Sequence, residues 1–263
     1  MQKLMEYKII SGRTVEIRRT WMNVRSGSQP KKRGTRIAGN SSARKIRANE
    51  VEAIKNLARI LNANIEDGWL IVSLNYDNLH LPENYADLEL SGKKFIRNFR
   101  TAFKKATGRN PRFILVNANW SPEKDKLARL HHHLVIEPCS LDLLAACWKS
   151  GGIATEATDG REDHTALAVY LVGNTHGLDR NTNRWRTSRG NLNKPIYTEP
   201  EEVCGDVEDI TVLPTARQTA FERLDDECGR AVSAYVRCVL PEKPKIRGSM
   251  IVLPRKQRKG GKT

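Results

Sequence analysis

Three apolar, β-branched runs interleaved with helical-period segments predict an α+β fold. It is a central antiparallel β-sheet flanked by helices, with helical, basic N- and C-terminal extensions. The runs are WLIVSLNY (69–76), RFILVNAN (112–119) and LHHHLVI (130–136). Polar WSPEKDKLAR joins the last two, reads as a hairpin loop, and makes that pair antiparallel. Phenylalanines at 95, 99 and 103 mark a helix between the first and second runs.

Taken in order, residues 1–66 carry 15 Lys/Arg against 5 Asp/Glu. They read as a basic arm, rich in Ser, Gly, Lys and Arg from Arg25 to Arg47, followed by an amphipathic helix. The stripe of that helix is Ile46, Val51, Ile54, Leu57 and Leu61. Residues 67–200 form the main domain. KKFIRNFRTAFKK turns its aromatics toward the core and leaves Lys93, Lys94, Arg97, Arg100 and Lys104 on a basic outer face. SLDLLAACWKSG (140–151) is a helix that Ser140 caps and Gly151–Gly152 end. DHTALAVYLVG (163–173) is a helix with Asp163 as cap. Residues 201–241 carry 9 acids against 4 bases and read as an acidic linker and a helix over 215–239. The stripe expected there is Phe221, Leu224, Cys228, Val232, Tyr235 and Val236. The final stretch, 242–263, holds 8 bases and 1 acid and reads as a disordered basic tail.

The formal charge of +15 points to nucleic acid, because Lys and Arg neutralise phosphates and release their counterions. No run approaches the roughly 18 apolar residues of a membrane span. The N-terminus lacks the apolar core of a secretory signal. Five cysteines without a CxxC pair fit a reducing cytoplasm, the compartment expected here.

The chemistry centres on His131-His132-His133. Successive strand side chains point to opposite faces, so His131 and His133 share one face and His132 takes the other. Two imidazoles two residues apart can grip one cation, and an open site of two imidazoles and one oxygen donor suits a phosphate-polarising metal. Tyr170, in ALAVYLVG, is the candidate nucleophile. Tyr76 reads as structural, Tyr197 as a loop residue, and His164 and His176 as surface or cap residues.

WLIVSLNYDN, RLHHHLVIE, ALAVYLVGN and WRTSRGNLNKP, in this order, resemble the motifs of the HUH endonuclease superfamily, specifically rolling-circle replication initiators of phages and plasmids. The likeness covers about residues 45–197. It implies a ferredoxin-like palm and a metal-dependent reaction in which Tyr170 cleaves one DNA strand and becomes joined to the 5′-phosphate. It also implies a divalent ion, Mg or Mn, on His131 and His133. The third ligand of the family is often a Glu on the preceding strand. In VNANW the best-placed oxygen donor is Asn119, with Asn117 behind it, and Glu123 substitutes only if the hairpin loop folds back. The lysine usual three residues after the tyrosine is Gly173 here, with Arg189 or Lys194 as replacement cations. Arg189, Lys194 and the basic helix face are the expected DNA contacts, and Trp185 is either a further one or an anchor of its loop onto the core. The expected partners are single-stranded or hairpin origin DNA, with helicase and polymerase from the host, since no GxxxxGK[ST] motif is present. Two rival readings are a DNA-binding protein that kept the fold and lost the chemistry, and a relaxase or transposase of the same superfamily.

Overall fold

The computed structural model describes residues 2–23, 43–158, 160–176, 184–212, 214–225, 231–247 and 250–252. The chain is α+β, with two antiparallel sheets of five and six strands. It divides into two compact units, residues 47–193 and residues 1–46 with 194–263.

The second unit begins with a hairpin, β1 (Gln2–Ser11) and β2 (Thr14–Asn23), turning at Gly12 in the left-handed region. The 1–66 segment is therefore not a basic arm throughout: its first third is paired sheet. Alternation in LMEYKII and TVEIRRTW around a Ser-Gly turn was the available signal, masked by the charge of the segment. The arm expected over 25–47 lies mostly outside the described residues.

Helix α1 (Ala43–Asn64) is present as predicted. Leu57 and Leu61 are buried and Ile54 packs against the same core, whereas Val51 is exposed. Next come strand β3 (Leu70–Asn75) and helix α2 (Tyr85–Thr107). The Asn84 side chain caps α2 by accepting from Asp87 N–H, and Gly108 closes it with φ 78°. Its buried residues Leu88, Gly92, Phe95, Phe99 and Phe103 lie on one face. Strands β4 (Phe113–Ser121) and β5 (Lys126–Ile136) are the expected antiparallel pair, longer than the sequence suggests. The connection shrinks to residues 122–125, with Asp125 at φ 46°.

Helix α3 (Leu141–Cys147) is capped by Ser140 but ends before the glycines. Gly151 serves instead to let strand β6 (Ile153–Ala157) approach β3, since a Cβ there would meet Asn75 O at 2.3 Å. Helix α4 (Thr165–Gly173) starts beside Asp163, whose carboxylate accepts from Thr165 N–H at 3.0 Å; His164, buried, holds the cap position itself. Strand β7 (Trp185–Thr187) completes the sheet order β6-β3-β5-β4-β7.

This sheet carries a core on each face. Leu74, Leu115, Leu134 and Ile136 pack against Phe95, Phe99 and Phe103 of α2. Ile114, Val116 and Val135 pack against Leu57 and Leu61 of α1 and Ala168, Leu171 and Val172 of α4. Both faces being covered explains why the three strands read as continuous apolar runs.

Strands β8 (Ile196–Tyr197), β9 (Glu201–Glu202), β10 (Arg217–Asp225) and β11 (Ala231–Val239) join β1 and β2 in the six-stranded sheet. The helix expected over 215–239 is thus a β-hairpin. Val232, Val236 and Val239 favour extended backbone, and β2 offers β11 an edge to pair with, Val236 lying opposite Ile17. That partner is more than 200 residues away in sequence, so a local window sees only apolar spacings that also fit a helix. Cys228 lies outside the described residues. In the expected disordered tail, β12 (Lys245–Arg247) and β13 (Met250–Val252) form a two-stranded sheet; 253–263 are outside the described residues. Among the described residues, no helix is long and apolar enough to cross a membrane.

Candidate active site

Register decides which histidine faces where. On β5, His133 lies opposite Ser73 of β3 and Val116 of β4, while His132 lies opposite Leu74 and Asn117. His131 and His133 therefore face the α1/α4 layer and His132 faces α2. Glu137, immediately after β5, locks this register. It is 1% exposed and accepts from Arg109 Nη1 and from Arg112 N–H, both at 2.7 Å. Burial raises its pKa, but these donors outweigh burial and hold the carboxyl below the usual carboxylate range.

The His132 side is closed. Asn117 Oδ1 accepts from His132 Nδ1 at 2.9 Å, so His132 Nε2 accepts from the Tyr76 hydroxyl at 2.7 Å. Asn117 Nδ2 in turn donates to the Tyr85 hydroxyl. Burial, with the neighbouring His131 and His133, pushes the His132 pKa down to about 3. Burial pushes the Tyr76 hydroxyl up to about 12. His132 and Tyr76 are structural, as expected, and Asn117 belongs to this closed side.

The other side is partly open: His133 is buried, His131 half-buried and Tyr170 exposed. His131 Nδ1 donates to Arg129 O at 2.8 Å, and His133 Nδ1 lies 3.2 Å from Ser73 Oγ. With both Nδ1 atoms engaged, the two Nε2 atoms converge at 3.1 Å. With the Ser73 hydroxyl donating to His133 Nδ1, His133 Nε2–H donates to His131 Nε2; with His133 Nδ1 donating instead, both Nε2 lone pairs face one point and can take up a cation. Metal-binding histidines are oriented in this way by carbonyl or hydroxyl partners on the other ring nitrogen. Two nitrogens each about 2.1 Å from one cation and at right angles would be about 3 Å apart, so the spacing fits. Burial lowers the His131 pKa and pushes that of His133 down to about 4, which keeps both rings neutral and able to ligate.

Tyr170 stands on α4 with its ring 5.2 Å from that of His133, edge to face, and is 42% exposed. Burial of its hydroxyl end raises its pKa, a hydrogen bond from Asn174 opposes this, and the Glu123 charge adds to the rise. Glu123 thus comes close enough for its charge to act on Tyr170. The turn is held there by contact between α4 and Pro122: a Cβ on Gly173 would lie 3.1 Å from Pro122 Cγ.

Asn174 is the residue that sequence reasoning missed. Its Nδ2 donates to Tyr170 O at 2.7 Å, its own carbonyl accepts from Asn119 N–H and Trp120 N–H, and its amide acts on the titration of both His133 and Tyr170. It lies four residues after Tyr170, a same-face helical spacing that could have flagged it. Asn119, the expected oxygen donor, is 9% exposed, and its Oδ1 has no hydrogen-bond partner. An orphaned buried acceptor suits a ligand role, although an amide binds hard cations more weakly than a carboxylate. Among the described residues, no three His, Cys, Asp or Glu side chains converge as a metal group.

The expected DNA contacts divide. Lys93, Arg97, Arg100, Lys104 and Arg189 line a groove beside α2. Lys94 lines a separate depression with His80 and Trp148. Trp185 packs against the α1/α4 core and anchors β7. Lys194 is exposed and belongs to the other unit, as does Tyr197 on β8. His176 pairs with Glu50. No family model, curated protein or solved structure matches this chain.

Proposed function

We propose that the chain is a rolling-circle replication initiator of the HUH endonuclease superfamily that nicks and rejoins one strand of DNA. The observation that carries this reading is the convergence of His131 and His133 through their Nε2 atoms beside the Tyr170 ring. A bound Mg or Mn ion, held by His131 and His133 with Asn119 as an oxygen donor, would polarise the scissile phosphate. The residues of the chain do the rest. Asn174, bonded to the Tyr170 backbone and to the Asn119 and Trp120 amides, fixes the helix end that carries the nucleophile beside His133. The phenolic oxygen attacks phosphorus and loses its proton to solvent. The Oη–P bond forms as the P–O3′ bond breaks, and the leaving 3′ oxygen takes up a proton. The 5′-phosphate stays on Tyr170, and the reverse step rejoins the strand. Such a protein would act on single-stranded or hairpin origin DNA in a bacterial host cytoplasm, with helicase and polymerase supplied by the host.

The second reading is a binding protein of the same fold without the chemistry. It is favoured by Gly173 standing where the family has lysine, so that the cation usual at that position is absent.

One experiment separates them. The full chain is incubated with Mn and a labelled pool of single-stranded hairpins with a randomised loop, then run on a denaturing gel. A covalent band is expected that disappears with EDTA and in Tyr170→Phe. Binding without any band sinks the nickase. A band that survives Tyr170→Phe but is lost in Tyr197→Phe sinks the nucleophile assignment.

A further inference from the structure

We infer that the groove between α2 and β7 is a second nucleic-acid site, separate from the His131–His133–Tyr170 site, which grips the phosphodiester backbone. This does not rest on the nicking reading. The groove measures about 540 Å³. Six cationic side chains line it: Lys93, Arg97, Arg100 and Lys104 from α2, and Arg186 and Arg189 from β7 and the loop after it. Among the described residues, no carboxylate lines it.

The four α2 cations recur at i, i+4, i+7 and i+11, one helix face. At 1.5 Å rise per residue the row is about 16 Å long. One DNA strand advances about 3.4 Å per phosphate, so the row spans roughly five phosphates. The row cannot roll away, because Phe95, Phe99 and Phe103 on the opposite side of α2 are locked in the core. Charge is left over for a ligand. Glu89, just outside the lining, pairs with Lys93 and Arg186. Among the described residues, Arg97, Arg100, Lys104 and Arg189 have no carboxylate within ion-pair distance.

Asn191 fixes the end of the groove, donating through Nδ2 to Asn110 O and Pro111 O. The groove faces the α2 side of the sheet, whereas His131, His133 and Tyr170 face the α1/α4 side. A segment held here is therefore not the segment lying at Tyr170.

The test uses the full chain in EDTA and the dependence of affinity on salt for a 20-nucleotide single strand and for its duplex. Arg97→Gln/Arg100→Gln/Lys104→Gln should lose tenfold or more in affinity at about 50 mM salt. Its slope of log K against log salt should fall by about 2 for the single strand, or somewhat more for the duplex, as three phosphate contacts vanish. The charge-matched variant Lys256→Gln/Arg258→Gln/Lys259→Gln should lose less than threefold. The groove effect should persist in a Tyr170→Phe background, which keeps this outcome apart from that of the nicking reading. Equal losses in the two triple variants, or an unchanged slope with both probes, overturn the proposal. If the helix variant does not melt cooperatively, Arg189→Gln, which lies off the helix, reads the same groove. A two- to fivefold loss is then expected, and no loss overturns the proposal.

Discussion

His132 and His133 are neighbours on one strand, yet the two faces of the sheet treat them in opposite ways. His132 is sealed under α2, with a tyrosine hydroxyl on one ring nitrogen and an amide oxygen on the other. His133 has one nitrogen set by Ser73, and its other meets the matching nitrogen of His131 in a partly open site. The difference teaches that satisfaction, not residue type, separates a structural histidine from a candidate ligand. A buried polar group with every partner in place stabilises a unique arrangement. A ring nitrogen that meets only another ring nitrogen, in a partly exposed site, can exchange that contact for a ligand.

The most direct way to break the comparison is to truncate His132 and, on the opposite face, His131. His132→Ala should cost about 3–5 kcal/mol, because it leaves a cavity and strands the Tyr76 hydroxyl and Asn117 Oδ1. His131→Ala should cost no more than about 1 kcal/mol, as it lies on the open side. Urea denaturation of the two variants measures this, and equal costs would erase the distinction between the faces.

The next test acts on the lock that sets the faces. A one-residue slip of β5 would exchange His132 with its neighbours, and Glu137 opposes that slip by holding Arg109 and the backbone of Arg112. Its folded pKa lies below its ordinary value, so the stability it contributes is fully present above the ordinary carboxylate range. That stability is lost as pH falls through the folded value. Stability measured from pH 6 to pH 3 should therefore fall in the wild type. Glu137→Gln should start about 2 kcal/mol lower at pH 7 and show a shallower fall. Parallel pH curves would count against Glu137 as the lock.

The smallest effect is expected at Gly92. A methyl there would sit 2.9 Å from His132 Cε1 and 3.1 Å from Leu115 Cδ2. Overpacking costs about 1–3 kcal/mol, and alanine recovers roughly 0.8 kcal/mol of helix propensity. Gly92→Ala should therefore lose about 1 kcal/mol in thermal or urea unfolding. A stabilised variant would mean that the His132 side is looser than its hydrogen bonds imply.

Much of this site was legible in one dimension because its logic is local. Period two along LHHHLVI is enough to part His132 from its neighbours, and four-residue spacing is enough to bury Phe95, Phe99 and Phe103. Asn174 could have been read in the same way, since it follows Tyr170 by one helical turn. Ser73 stood in a motif already singled out, but its pairing with His133 depends on which strands become neighbours.

What the sequence by itself determined is the α+β class, the three central strands, the basic α2 face and the two-plus-one division of the histidines. These follow from backbone periodicity and charge, which need no distant partner. Only the tertiary structure decided that residues 217–239 are strands, because the edge they pair with is β2, at the other end of the chain. Only it gathered Arg186, Arg189 and the α2 cations into one groove, and brought Tyr170 beside His133. Long-range hydrogen bonding and packing choose among local conformations of similar free energy, and no window along the chain contains both partners.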